Sequence, residues 1–75
     1  MKIIRNFTAV IEKEYDMFVA LCPELDVASQ GDSVEEAKAN LQEAIELFFE
    51  HASEREVETR LKGDIFITNV QVAVG

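Results

Sequence analysis

From Ile3 to Ile11 the apolar residues fall mostly on odd positions (Ile3, Phe7, Ala9, Ile11), with Arg5 the exception and Ile4 and Val10 on the other side. A period of two predicts a β-strand. Glu12 to Asp16 make a charged interruption of hairpin-loop length, and the continuous apolar run Met17 to Cys22 behind it predicts a second, more buried strand. Pro23 removes a ladder donor and biases Cys22 toward extended geometry, so that strand is expected to stop there. The chain then turns through Glu24 and Leu25 into a short third strand, Asp26 to Gln30. Three strands joined by short loops predict an antiparallel meander.

Gly31 breaks the pattern, and Ser33 followed by Glu36 makes a capping box in which hydroxyl and carboxylate satisfy backbone donors at a helix start. At 100° per residue Val34, Ala37, Leu41, Ala44, Ile45, Phe48 and Ala52 fall in one narrow arc, with Leu47 and Phe49 on its shoulders. The shoulders widen the stripe beyond what one small sheet covers, a pointer to a subunit contact. Ser53 to Gly63 holds only Val57 and Leu61 as apolar residues and is read as a frayed helix end and a loop. From Asp64 to Val74 the pattern returns to strand, with Phe66, Thr68, Val70, Val72 and Val74 alternating with Ile65, Ile67, Asn69, Gln71 and Ala73. A right-handed crossover through the helix places this fourth strand parallel to the first, in the order 3-2-1-4. The expected class is therefore α+β, β-β-β-α-β, the front half of a ribonuclease-H-like architecture. A long apolar edge strand invites pairing with another chain, so a dimer joined through or near it is expected.

The chain has 75 residues, which predicts a single domain over 1–75. Surface scaling leaves roughly 4,600 Å² exposed after folding, with about 62% of the unfolded surface buried. That burial contributes on the order of 110 kcal/mol, against about the same ordering entropy. Such a balance calls for a staple, and the lone Cys22 cannot form an internal disulfide. Self-association, as a homodimer or higher oligomer, is expected. No apolar stretch is long enough to span a bilayer and no signal-peptide core opens the chain, which predicts a cytoplasmic protein without membrane partners.

Charge sharpens the picture. The net charge is −8, which disfavours direct nucleic-acid binding and favours a cationic partner. Asp32 to Glu58 holds nine acids against two bases, while the rest of the chain is close to neutral. Glu46, Glu50, Glu54 and Glu58 recur at i, i+4 spacing, where like charges cost about 0.2–0.5 kcal/mol per pair, so helix stability did not select them. The bland reading is a solvated face that keeps an oligomer soluble. The sharper one is a docking surface for a basic protein, with Glu43, Glu46, Glu50 and Glu54 as partner-facing carboxylates on one side of the molecule.

Enzyme chemistry finds little support. His51 lies near a helix end, where an imidazolium complements the dipole, and Cys22 in its apolar run reads as a small hydrophobe. No Cys pair, His cluster or calcium loop suggests a metal or cofactor. The Gly31 turn could offer donors to an anion, but Asp32, Glu35 and Glu36 in the same turn repel phosphate. A ribonuclease H site needs carboxylates central on the first strand and at the end of the fourth. Here the first strand carries Asn6, Phe7, Thr8 and Ala9, and the fourth has Asp64 only at its start.

Phe7-Thr8-Ala9, the corner Phe18-Val19-Ala20-Leu21-Cys22-Pro23-Glu24-Leu25, the stretch Ser29-Gln30-Gly31-Asp32-Ser33-Val34-Glu35-Glu36-Ala37 and Asn40-Leu41-Gln42-Glu43-Ala44-Ile45 together resemble the HicB-like antitoxin family over about residues 3 to 50. The resemblance implies a partly formed ribonuclease-H-like fold that oligomerises and neutralises HicA, a small basic ribonuclease toxin, by covering its active site. It also implies a short member expected to lack the C-terminal DNA-binding module of many relatives. The family has no catalytic residues to transfer. Pro23, Gly31, Ser33 and Glu36 are expected to determine the fold. Two other readings stay open at this stage. One is a small enzyme or ligand-binding protein with a site between subunits, and the other is a structural oligomer without a toxin.

Overall fold

A computed structural model describes residues 4–75. The expected start of the first strand at Ile3 lies outside the described residues. The elements are β1 (Val10–Glu14), β2 (Met17–Cys22), β3 (Val27–Gly31), α1 (Val34–His51) and α2 (Glu54–Leu61). The strands form one antiparallel sheet in the order β1-β2-β3, an α+β arrangement with two helices.

The central strand dictates which face is buried. Phe18, Ala20 and Cys22 share one face with Ile11 of β1 and with Val27, Ser29 and Gly31 of β3, as the register pairs Ile11 with Ala20, Ala20 with Ser29 and Cys22 with Val27. α1 lies on that face. The core consists of Ala20, Cys22, Leu25, Ala37 and Leu41, surrounded by Phe7, Ile11, Phe18, Val27, Ile45, Phe48 and Leu61. Small residues on both layers let the helix sit close to the sheet. The closest approach is at Gly31, where an added Cβ would stand 2.6 Å from the Ala37 nitrogen and 2.8 Å from the Glu36 carbonyl carbon.

The helix start is built as expected. The Ser33 hydroxyl accepts from the Glu36 N–H at 3.0 Å, and the Glu36 carboxylate reaches back to the Asp32 N–H at 3.0 Å. Further along, the Asn40 amide donates to the Gln30 carbonyl at 2.8 Å, tying α1 to the free edge of β3. Among the described residues no side chain bonds the edge of β1 in this way.

Three expectations about residues 3–63 are corrected. The first strand begins at Val10, not near residue 3, because Val10 faces Leu21 and β2 ends one residue later, so the earlier alternating residues run past the last available partner. The hairpin loop is only Tyr15 and Asp16, and Glu12 to Glu14 belong to β1, an edge strand whose side chains reach water. Ser53 to Gly63 is not a frayed end. Ser53 caps a separate helix by accepting from the Glu56 N–H at 3.1 Å. Leu61 anchors that helix to the core, while the Arg60 guanidinium donates to the Leu25 carbonyl and stacks 5.4 Å over the Phe48 ring.

Residues 64–75 form no strand. They leave α2 as an exposed segment, with Phe66 at 87%, Val70 at 83% and Val74 at 91% exposure. The fourth strand expected beside β1 therefore does not form within the single chain. Its side chains alternate as a strand requires, but among the described residues no ladder partner is paired with it.

Tyr15 occupies the left-handed region with φ at 54° and is 97% exposed. A non-glycine residue there costs about 1–2 kcal/mol, partly offset in a glycine variant by about 0.5–1 kcal/mol of extra unfolded-state entropy. Tyr15→Gly is therefore expected to raise the melting temperature by a few degrees in a thermal circular-dichroism scan, roughly 4–8 °C for each net kcal/mol gained. A lowered melting temperature would mean that the tyrosine makes a contact the structure does not show.

Candidate functional site

An open groove runs between the segment 4–9 and one flank of α1. Its floor and walls include Phe7, Leu41, Ile45 and Phe49, and Arg5, Lys38, Glu43, Glu46 and Glu50 provide its charged margin. Phe7 sits there because the chain before β1 crosses toward the C-terminal half of α1, where its ring meets Phe49 at 5.6 Å. Phe49 meets Phe48 edge-on at 5.4 Å, and the Arg5 guanidinium lies 5.4 Å over Phe7. The result is an apolar trough with an aromatic wall and a mixed-charge rim.

The carboxylates of α1 are sorted by helix geometry. At 100° per residue Glu35, Glu36, Glu43, Glu46 and Glu50 fall within an arc of about 100°, opposite the stripe containing Ala37, Leu41 and Phe48. All five are exposed. The structure thus brings Glu43, Glu46 and Glu50 together along one groove. It does not bring Glu54 with them. α1 ends at His51 and Ala52 is extended, so Glu54 opens α2 in a second, smaller cleft with Phe49, Ala52, Val57 and Glu58. The expected unbroken row from Glu46 to Glu58 is broken at that bend. Glu54 and Glu56 instead stand in the first turn of α2, where negative charge complements the helix dipole.

Sequence reasoning missed a polar knot at the Pro23 corner. The Glu24 carboxylate accepts from the Thr8 N–H at 3.0 Å and from the Thr8 hydroxyl at 2.8 Å, and the Cys22 thiol approaches it at 3.6 Å. This knot holds the chain before β1 against the β2–β3 corner where the strand ladder has run out. Partial burial pushes the Glu24 carboxyl upward, but the Thr8 hydroxyl, the Glu24 and Thr8 backbone N–H groups and the Cys22 thiol outweigh it and leave the group below its ordinary value. Burial pushes the Cys22 thiol up, and the neighbouring Glu24 charge adds to the effect, although the Leu25 backbone opposes it. Cys22 is thus a protonated, enclosed thiol, poorly suited to nucleophilic chemistry.

The pH consequence has a definite sign. Because Glu24 is depressed when folded, its contribution is complete above its ordinary value near 4.5 and is lost as pH falls through the folded value. Glu24→Gln is expected to lower the melting temperature at neutral pH, with the difference from wild type shrinking below about pH 4.5. A difference that stays constant into strong acid would remove this role for the carboxylate.

His51 stands exposed in the last turn of α1, and Asp64 is exposed at the start of the terminal segment. Among the described residues no three His, Cys, Asp or Glu side chains gather closely enough to hold a metal ion, and no helix is long and apolar enough to cross a membrane.

No protein-family model matches the chain, and no solved structure matches it. The chain is similar to a UPF0150 protein from Synechocystis sp., with 51% identity over 51 residues. The matched stretch makes up 65% of this chain and spans 65% of the curated relative's length.

Proposed function

We propose that this protein is a HicB-like antitoxin, a cytoplasmic binding protein that acts without catalysis and covers the active site of a small basic HicA-type ribonuclease. The observation that carries this reading is the exposed arc of α1 carboxylates, with Glu43, Glu46 and Glu50 lining an apolar groove. A basic partner would find charge complementarity on the rim and apolar surface in the trough, the combination that steers encounter and then slows release. Glu54 lies apart from the groove and would contribute only through the second cleft. The family motifs of the Cys22-Pro23-Glu24-Leu25 corner agree with this reading, since they build the knot that holds one wall of the groove. The partial ribonuclease-H-like layer would be complete once residues 64–75 pair beside β1.

Titration calorimetry and an RNA-cleavage assay with a HicA-type protein test the proposal. A complex is expected at low salt, weakening steeply as ionic strength passes about 0.1 M. Reversing three rim charges together (Glu43→Lys, Glu46→Lys, Glu50→Lys) is expected to weaken inhibition by about a hundredfold or more. These positions are exposed, so the fold should survive. Absence of a complex at low salt, or full inhibition by the triple variant, would sink the reading.

A further inference from the structure

We infer that residues 64–75 are an exchange strand, which pairs in a second copy of this chain with the free edge of β1 and the segment 4–9 before it.

The molecule carries two unsatisfied halves of one ladder. On one side, Ile4 to Ala9 run on from β1 without a strand partner, Thr8 giving its N–H to the Glu24 carboxylate instead, and β1 itself is paired only with β2. On the other, residues 64–75 alternate Phe66, Val70, Val72 and Val74 against Ile65, Ile67, Asn69 and Gln71, with their apolar side bare. The two segments match in length, since residues 4–14 and 64–75 each span roughly 40 Å when extended. Both are close to neutral: the second carries only Asp64, and the first pairs Arg5 and Lys13 with Glu12 and Glu14.

The shape of the chain supports a second copy as the occupant. Its radius of gyration is 14.7 Å and its long axis 51 Å, whereas a compact chain of this length has a radius of about 11 Å. Its exposed surface is 6632 Å², some 2,000 Å² more than the roughly 4,600 Å² expected of a compact monomer. If each of two copies covered that surplus, the interface would fall in the range of about 2,000–5,000 Å² found in obligate dimers. Arg60 fixes the end of α2 to the β2–β3 corner, so the segment leaves the body from a defined point and projects outward. A reciprocal exchange closes under two-fold symmetry, with each copy lending one strand and accepting one. The inference does not rest on the antitoxin reading and is tested without any toxin.

The experiment uses the full chain. Sedimentation equilibrium is expected to give twice 8.4 kDa, and isotope-filtered NMR on mixed labelled and unlabelled chains is expected to show contacts between residues 64–75 of one copy and residues 4–14 of the other. The double variant Val70→Lys, Val72→Lys lies outside the core, so it should keep the circular dichroism of the sheet and helices while raising the dimer dissociation constant at least a hundredfold. A monomer whose terminal strand contacts only its own β1 overturns the inference. So does a dimer in which the two terminal segments contact only each other, or one indifferent to the double variant. A segment that becomes protected from hydrogen exchange only when a basic protein is added also overturns it.

Discussion

Gly31→Ala is expected to be the most damaging single-methyl change in the chain. The new Cβ would meet the Ala37 nitrogen at 2.6 Å and the Glu36 carbonyl carbon and Cβ at 2.8 and 2.9 Å. The first two are backbone atoms and cannot swing aside. α1 cannot easily retreat either, because its first turn is held by Ser33 and Glu36 and its next by the Asn40 bond to β3. Overpacking of this kind costs about 1–3 kcal/mol and occasionally more. Against a total of roughly 4–11 kcal/mol for a chain of this size, the melting temperature should drop by roughly 4–8 °C per kcal/mol, so by 10 °C or more at the upper end. The scan must hold protein concentration fixed, since any self-association would raise the apparent value. Melting within a few degrees of wild type would show that the helix and sheet are less tightly apposed than the structure has them.

Leu25→Ala should rival it by the opposite mechanism. Leu25 is fully buried at the corner between β2 and β3, among the largest enclosed side chains of the core. Its carbonyl also receives the Arg60 guanidinium from α2, 35 residues away. Truncation removes apolar burial and leaves a cavity, for which about 2–5 kcal/mol is typical. The damage should spread to α2, whose docking relies on Leu61 and on that carbonyl. Hydrogen exchange is the discriminating measurement: α2 amides should lose protection before those of β2. If α2 stays protected while the sheet loosens, Leu61 alone anchors the second helix.

Much of this architecture could be read from residue pattern. The apolar run of β2, its stop at Pro23 and the box at Ser33 and Glu36 locate β2 and the start of α1 to within a residue or so. Where β1 begins could not be read, because alternation shows that a segment can be a strand but not where its partner ends. α2 was readable in principle. Ser53 and Glu56 repeat the capping-box spacing and Val57 and Leu61 stand four apart, yet the polar composition of the segment outweighed those cues. The carboxylate cluster was legible for Glu43, Glu46 and Glu50, which share one helix, and failed for Glu54 at the Ala52 bend. The knot of Thr8, Glu24 and Cys22 could not have been found, since Thr8 and Glu24 stand 16 positions apart and no periodicity links them.

Cys22 supplies a convenience for the experimentalist. It is the one sulfhydryl in the chain and is completely enclosed, so a thiol-modifying dye can react only after the Pro23 corner has opened. The rate of colour development therefore clocks excursions of that corner in the unmodified protein, with no engineered label to disturb it.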